Sequence, residues 1–300
     1  MRPLEGALVV DLTRYLPGPF ESRELLELGA RVVRIEPPGG DPMRDVAPAW
    51  HEALNAGKES VTCDLKAEPE RARSLCAKAD VVIEGFRPGV ADRLGIGPAA
   101  LPETVVYCSI TGFGLGGRHE RRAGHDLNYQ GWAGVLADTA PALPPVQVAD
   151  LGAGSLAAVN RILAALLARA QTGRGAHVVV SMTHGSHHFA AHRLGGEPVP
   201  KLLTGGLACY RVYRTADGRH LTVAALEQKF FVRLCKLLGL DELASRQFDP
   251  AAQSELADTL AETFAAKPLS AWLELLDRED VCVGPVATLE EAAAEFGSPQ

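Results

Sequence analysis

Two short runs combine ionisable side chains with the signals for the start of a helix. In Gly124-His125-Asp126-Leu127-Asn128-Tyr129 an imidazole and a carboxylate stand side by side, ahead of a helix expected over 126–138. Asp126 reads as the cap of that helix. His125 would then sit beside the positive end of its dipole, close to amide donors that lack an intrahelical partner. The run Ala149-Asp150-Leu151-Gly152-Ala153-Gly154 repeats the arrangement, with a carboxylate at the mouth of a second helix, 151–171, whose first turn is small enough to admit a ligand. An imidazole and a carboxylate at two helix starts can pass protons to and from an atom held between them, while free amides hold developing negative charge. Capping alone also accounts for Asp126 and Asp150, so these residues by themselves leave both readings open.

Other chemical signals are weaker. The loop Gly112-Phe113-Gly114-Leu115-Gly116-Gly117 fits a glycine-rich dinucleotide pattern, but the charged run 118–122 that follows has no apolar face to open a helix on it. It reads as a flexible loop. His184, His187, His188 and His192 crowd one expected helix, yet no carboxylate stands in register with them, so packed or surface imidazoles are expected and no metal. Neither a nucleophile-elbow serine nor a phosphate-loop lysine is found in the sequence.

The elements that must position the pair alternate. Apolar, β-branched runs at 7–12, 31–36, 60–65, 79–84, 105–110 and 177–181 predict strands, and helical patterns at 20–28 and 69–79 fall between them. Such alternation predicts a Rossmann-like parallel sheet with ligands at the carboxyl ends of its strands. This large α/β domain is expected over 1–190 and a linker over 191–206. A hairpin (210–215 and 220–225) with helices at 228–238, 250–266 and 269–277 predicts a small α+β domain over 207–285, and 286–300 reads as a short tail.

With 30 Lys and Arg against 37 Asp and Glu, and only 6% aromatic residues, the chain has neither the positive charge nor the stacking surface of a nucleic-acid binder. Any anionic ligand must be met by a few placed cations. The apolar stretch 156–170 is interrupted by Asn160, Arg161 and Arg169, so no membrane span is expected. No leader-like segment opens the chain, and its six cysteines form no close pairs, which predicts reduced thiols and a cytoplasmic protein.

The order and spacing of several motifs resemble the family III CoA-transferase superfamily (the CaiB/BaiF group), and within it the α-methylacyl-CoA racemases most closely. These motifs include Leu16-Pro17-Gly18-Pro19, Arg34-Ile35-Glu36, Asp80-Val81-Val82-Ile83-Glu84-Gly85-Phe86-Arg87-Pro88-Gly89-Val90, Gly124-His125-Asp126, Ala149-Asp150 and Leu226-Glu227-Gln228. The resemblance implies that fold, an acyl-CoA substrate and no further cofactor. His125 and Asp150 would be the two bases of a 1,1-proton transfer at the carbon next to the thioester. Amides around Asp126 would hold the oxygen, and Glu227 would orient His125. Lys58, Arg87 and Arg93 are implied as phosphate contacts, with Leu16 and Phe86 lining the nucleotide. A homodimer is implied, in which two chains interlock and share each active site, although this chain ends at Gln300, earlier than such relatives do. Transferases of the family instead use the residue matching Asp150 as a nucleophile and lack the imidazole. That leaves a CoA transferase as the second expectation and a non-catalytic acyl-CoA-binding protein as the third.

Overall fold

The computed structural model describes residues 2–196 and 201–297. It divides between Ala191 and His192 into two compact units. The first is built on six parallel strands, β1 (Leu8–Asp11), β2 (Arg31–Glu36), β3 (Glu59–Thr62), β4 (Val81–Glu84), β5 (Val106–Thr111) and β6 (His177–Ser181), in the order β3-β2-β1-β4-β5-β6. The order reverses between β1 and β4, and a crevice for a ligand opens at that switch point, beyond the carboxyl ends of the strands.

Side-chain alternation explains the two layers of core. Val9, Val81, Ile83 and Cys108 point to one face with Leu25 and Ile162, whereas Val10, Val82 and Tyr107 point to the other with Ala72 and Cys76. β4 and β5 are buried along their whole length, as strands covered on both faces must be. Each of these Val, Ile or Leu side chains contributes about 1.5–3 kcal/mol by leaving water.

The first unit's helices are α1 (Pro17–Glu27), α2 (Met43–Val46), α3 (Pro48–Asn55), α4 (Pro69–Cys76), α5 (Val90–Arg93), α6 (Asp126–Ala133), α7 (Ala157–Thr172) and α8 (Met182–Phe189), and the division between the units falls within the short α9 (Ala191–Leu194). Pro17 opens α1, where a missing N–H costs nothing. Gly18 lets α1 approach the loop after β1, because a Cβ there would stand 2.0 Å from Thr13 Oγ1. α6 stops at Ala133, short of the expected residue 138, because Gly134 takes a left-handed conformation at φ 81°.

Val148–Leu156 forms a π-helical segment that runs straight into α7, so the second helix of the pair begins earlier than 151. Together they make 25 continuous residues, long and apolar enough by length and composition to cross a membrane, contrary to the expectation from the polar interruptions. Part of this helix lies in the core, with Ala158, Val159, Ile162 and Ala165 packed against the sheet. His192 lies on α9, apart from the three other histidines on α8.

The second unit holds an antiparallel sheet, β7 (Tyr210–Arg214), β8 (His220–Ala224) and β9 (Val283–Pro285), with helices α10 (Gln228–Leu238), α11 (Gln253–Ala265), α12 (Leu269–Leu276) and α13 (Leu289–Phe296). Phe231, Leu234, Leu221, Leu260, Phe264 and Trp272 form its core. β9 has no counterpart in the sequence reading. The stretch read as a tail contains α13, which begins at a capping box between Thr288 and Glu291 and is tied to Arg219 by an ion pair. Residues 197–200 of the expected linker lie outside the described residues. Five of the six cysteines are buried thiols and Cys282 is exposed.

Candidate active site

Around the ionisable pair, the crevice at the sheet's carboxyl edge is formed by the loop leaving β1, the start of α6 and the π-helical segment before α7, and the loops after β4 and β5 extend it. His125, not Asp126, is the N-cap of α6. Its N–H donates to Asn128 Oδ1 (3.1 Å), and its carbonyl accepts from the N–H groups of Asn128 and Tyr129. Tyr129 locks the approach to this turn. Its ring lies where Cβ atoms on Gly112 and Gly124 would be, at 2.5 and 2.7 Å, and its hydroxyl donates to the Gly124 carbonyl.

Asp126 is the first residue of α6, but its carboxylate caps the other helix. Oδ1 accepts from the N–H groups of Ala149 (2.8 Å) and Asp150 (2.9 Å), and Oδ2 accepts from Gln130 Nε2. The expectation that Asp126 caps its own helix is therefore corrected. One buried carboxylate clips two helix starts together and fixes the backbone at Asp150. Ser155 Oγ completes the anchoring from the other side, within hydrogen-bond reach of the Pro17 carbonyl (2.6 Å) and the Asp150 carbonyl (3.0 Å). A π-helix carries one extra residue per turn and is often retained where a side chain must be re-aimed.

The Asp150 carboxylate receives no hydrogen bond among the described residues. Burial and then the negative charge of Asp126 push its pKa up from 3.8 to about 7. A group poised there holds or releases a proton at neutral pH with little cost either way.

Two cavities meet at this pair. One, about 440 Å³, is lined by Leu16, Met43, Trp50, Leu127, Leu143 and Pro144, with Gln147 and Asp126 as further polar residues and no Lys or Arg. The other, about 740 Å³, carries Arg14, Arg87, Arg122 and Phe86, with Glu120 as its acidic member besides Asp150. Tyr15, His125 and Asp150 line both.

The expected phosphate and nucleotide contacts divide. Phe86 and Arg87 stand in the larger cavity. Leu16 does not join them: it lines the smaller, apolar cavity. Lys58 also departs from expectation, because its ammonium donates inward to the Pro19 carbonyl, Ser22 Oγ and Asn55 Oδ1, and burial lowers its pKa to about 8. Its three donors hold α1 and α3 rather than a ligand. Arg93 ends α5 and lies beside Gly89, outside the residues lining either cavity. Glu227 belongs to the second unit, where it is exposed at the N-cap of α10.

Sequence reasoning missed Tyr15, Arg14, Trp50 and Arg122. Arg122 stands three residues before His125 and is held by the ring of Trp132, 5.3 Å away, so a closer look at that charged run could have found it. Nothing local marks the other three.

The model of CoA-transferase family III matches residues 4–297. The chain belongs to CoA-transferase family III. Human alpha-methylacyl-CoA racemase is 37% identical to it, over 96% of this chain and 78% of that protein. Acetyl-CoA:oxalate CoA-transferase of Acetobacter aceti is 34% identical, over 97% of this chain and 82% of that one. The crystal structure of a CaiB/BaiF family protein from Brucella suis superposes with a TM-score of 0.81 at 32% identity, covering 97% of this chain and 86% of that one. This family III enzyme thus has the fold of its group, and the site at the switch point of its sheet is made of residues on a chain related to racemases and transferases alike.

Proposed function

We propose that this enzyme is an acyl-CoA racemase, inverting the α-carbon of a 2-methylacyl-CoA thioester. The observation that carries the reading is the pairing of His125 with Asp150 at the seam of two cavities, the carboxyl poised near neutrality. One of the two removes the α-proton. The C–H electron pair moves to form the enolate, with charge on the thioester oxygen. The other group, protonated, delivers its proton to the opposite face of the same carbon, and the pair then resets by exchange with water. Positioned acid–base catalysis supplies about 10²–10⁴-fold. Fixed donors at the oxygen supply more, and the N–H groups of Asp126 and Leu127, in the first turn of α6 where no intrahelical carbonyl serves them, are assigned to it.

The unlike cavities give the substrate its direction. Phosphates of CoA go toward Arg14, Arg87 and Arg122, and the acyl chain goes into the apolar cavity. An acyl group with a second carboxylate would meet Asp126, Asp150 and no Lys or Arg there. That favours a plain branched acyl chain over a dicarboxylic one. The homodimer and the orienting role of Glu227 remain part of this proposal as implied by the resemblance.

A second reading is favoured by the transferase relative at nearly the same identity. In it Asp150 attacks the thioester carbonyl, expels CoA as thiolate and carries the acyl group as a mixed anhydride. A carboxyl poised near neutrality serves either reading, and what weighs toward proton transfer is His125, an imidazole beside it that attack on a carbonyl does not require. The test is incubation of a chiral 2-methylacyl-CoA in deuterium oxide. Label should enter the α-position with loss of optical purity, and His125→Ala should stop racemisation and cut exchange strongly, one hand of substrate suffering more than the other. Should exchange be untouched by loss of His125, while hydroxylamine traps an acyl-enzyme that Asp150→Ala abolishes, the transferase reading replaces this one.

A further inference from the structure

Tyr15 is one of three side chains that line both cavities, and the other two are the proposed proton-transfer pair. Its backbone is left-handed at φ 69°, a conformation that a bulky residue keeps only where its surroundings over-determine it. Both flanks are indeed fixed. On one side the N–H and hydroxyl of Thr13 both donate to Asp11 Oδ1. On the other, the Leu16 carbonyl accepts from the Phe20 N–H and the Pro17 carbonyl from Ser155. The residue is 54% exposed, and its hydroxyl has no hydrogen-bond partner among the described residues. Strain held in place around an unengaged donor, at the seam where substrate must lie, calls for a use.

The donors at the seam define what that use is. Asp126 occupies the N–H groups of Ala149 and Asp150, so the second helix start offers neither of these to an oxyanion. The first turn of α6 supplies donors from its own side only. A thioester oxygen accepts two hydrogen bonds well, and its demand rises as the enolate forms.

We propose that Tyr15 is a catalytic residue, its phenolic O–H donating a hydrogen bond to the thioester oxygen from the loop after β1. The hydrogen bond strengthens as charge builds on that oxygen and no proton is lost from the phenol. The assignment rests on the thioester reading of the site, but it holds for racemisation and for acyl transfer alike, since both put negative charge on the same atom.

The test is Tyr15→Phe, assayed by deuterium entry into 2-methylacyl-CoA and, in parallel, by transfer of CoA between two acids. In whichever reaction the wild-type enzyme performs, kcat should fall about 10²-fold with KM little changed. Tyr15→Gly relieves the left-handed strain, so it should raise the unfolding temperature yet be no faster than Tyr15→Phe. A folded Tyr15→Phe enzyme with wild-type kcat overturns the assignment and leaves the ring as cavity lining, as does a rise in KM alone. Failure of the racemase reading shows separately, as absence of exchange in the wild-type protein.

Discussion

Asp150→Asn should make the protein more stable while abolishing its chemistry, and the gain should depend on pH in a defined direction. The folded carboxyl has its pKa raised from 3.8 to about 7. Three units at about 1.36 kcal/mol each give about 4 kcal/mol as the full cost of ionising it in place. The side chain is partly exposed, and solvent screening brings a working figure to about 2 kcal/mol. A folded pKa raised above the unfolded one means that the native state binds more protons. The wild-type protein therefore keeps its full stability from this group below about pH 4 and loses it progressively as pH rises through about 7. Asn carries no such penalty. Urea unfolding of wild-type and variant protein at pH 5 and pH 8, compared at equal slope, should show the variant favoured at both and by about 1 kcal/mol more at pH 8. Two parallel results, or a larger gain at pH 5, would refute the claim that burial and Asp126 hold this carboxyl near neutrality. Racemisation by the variant should be lost at both pH values.

Asp126→Asn removes the second cause of that shift. The limb of the pH profile for kcat/KM that reports Asp150 should move to lower pH but stop above the ordinary carboxylate range, because burial is the larger cause. An unmoved limb would sink the electrostatic part of the argument. Arg34→Met should destabilise the first unit by about 3–5 kcal/mol, as breaking a buried ion pair does. Arg34, 2% exposed, donates to Glu36 (2.9 Å) and Asp41 (2.6 Å) and lies 3.2 Å from His51, so its loss takes the cation from buried Asp41, while Glu36 keeps Arg44 and Ser60. The same change frees α2 and α3, which bring Met43 and Trp50 to the apolar cavity, and discrimination between acyl chains should weaken in competition assays. A cost below about 1 kcal/mol in denaturant unfolding would show that the network is dispensable.

The parallel sheet was legible because central strands covered on both faces must be apolar throughout, as β4 and β5 are. The edge strand β3, with its Glu59 exposed and its sequence polar, shifts from the expected 60–65 to Glu59–Thr62, since periodicity is weak where only an edge is presented. His125 and Asp150 could be found because each lies at the start of a helical segment. The π-helical register at Asp150 could not, because an α- and a π-turn share nearly the same apolar pattern. Asp126 looks like a local cap in sequence, yet its partners lie 23 and 24 residues away, a pairing that only folding reveals. Lys58 shows the opposite failure: a cation in a ligand-binding motif is used up by the carbonyl and hydroxyl groups of its own chain. Tyr15 was invisible for a different reason. Left-handed backbone is announced by Gly or Asn, and here neither is present.

Two aspartates of the same chemistry do opposite jobs here, and environment alone divides them. Asp126 is buried among three N–H donors, which spend its oxygens on holding two helices. Asp150 has no such donors, is partly buried, and faces that charge, so its own ionisation is resisted. Exchanging a donor for a neighbouring anion thus converts a clamp into a proton carrier. On the proposed readings, the carboxylate used for racemisation and the one used for acyl transfer are the same residue, and the two readings part at His125. An imidazole at position 125 gives a departing α-proton somewhere to go, or supplies its replacement. A variant with His125 replaced by Gln would keep the backbone cap, the clamp and both cavities, and it should retain any attack by Asp150 on a thioester carbonyl while losing racemisation by several orders of magnitude.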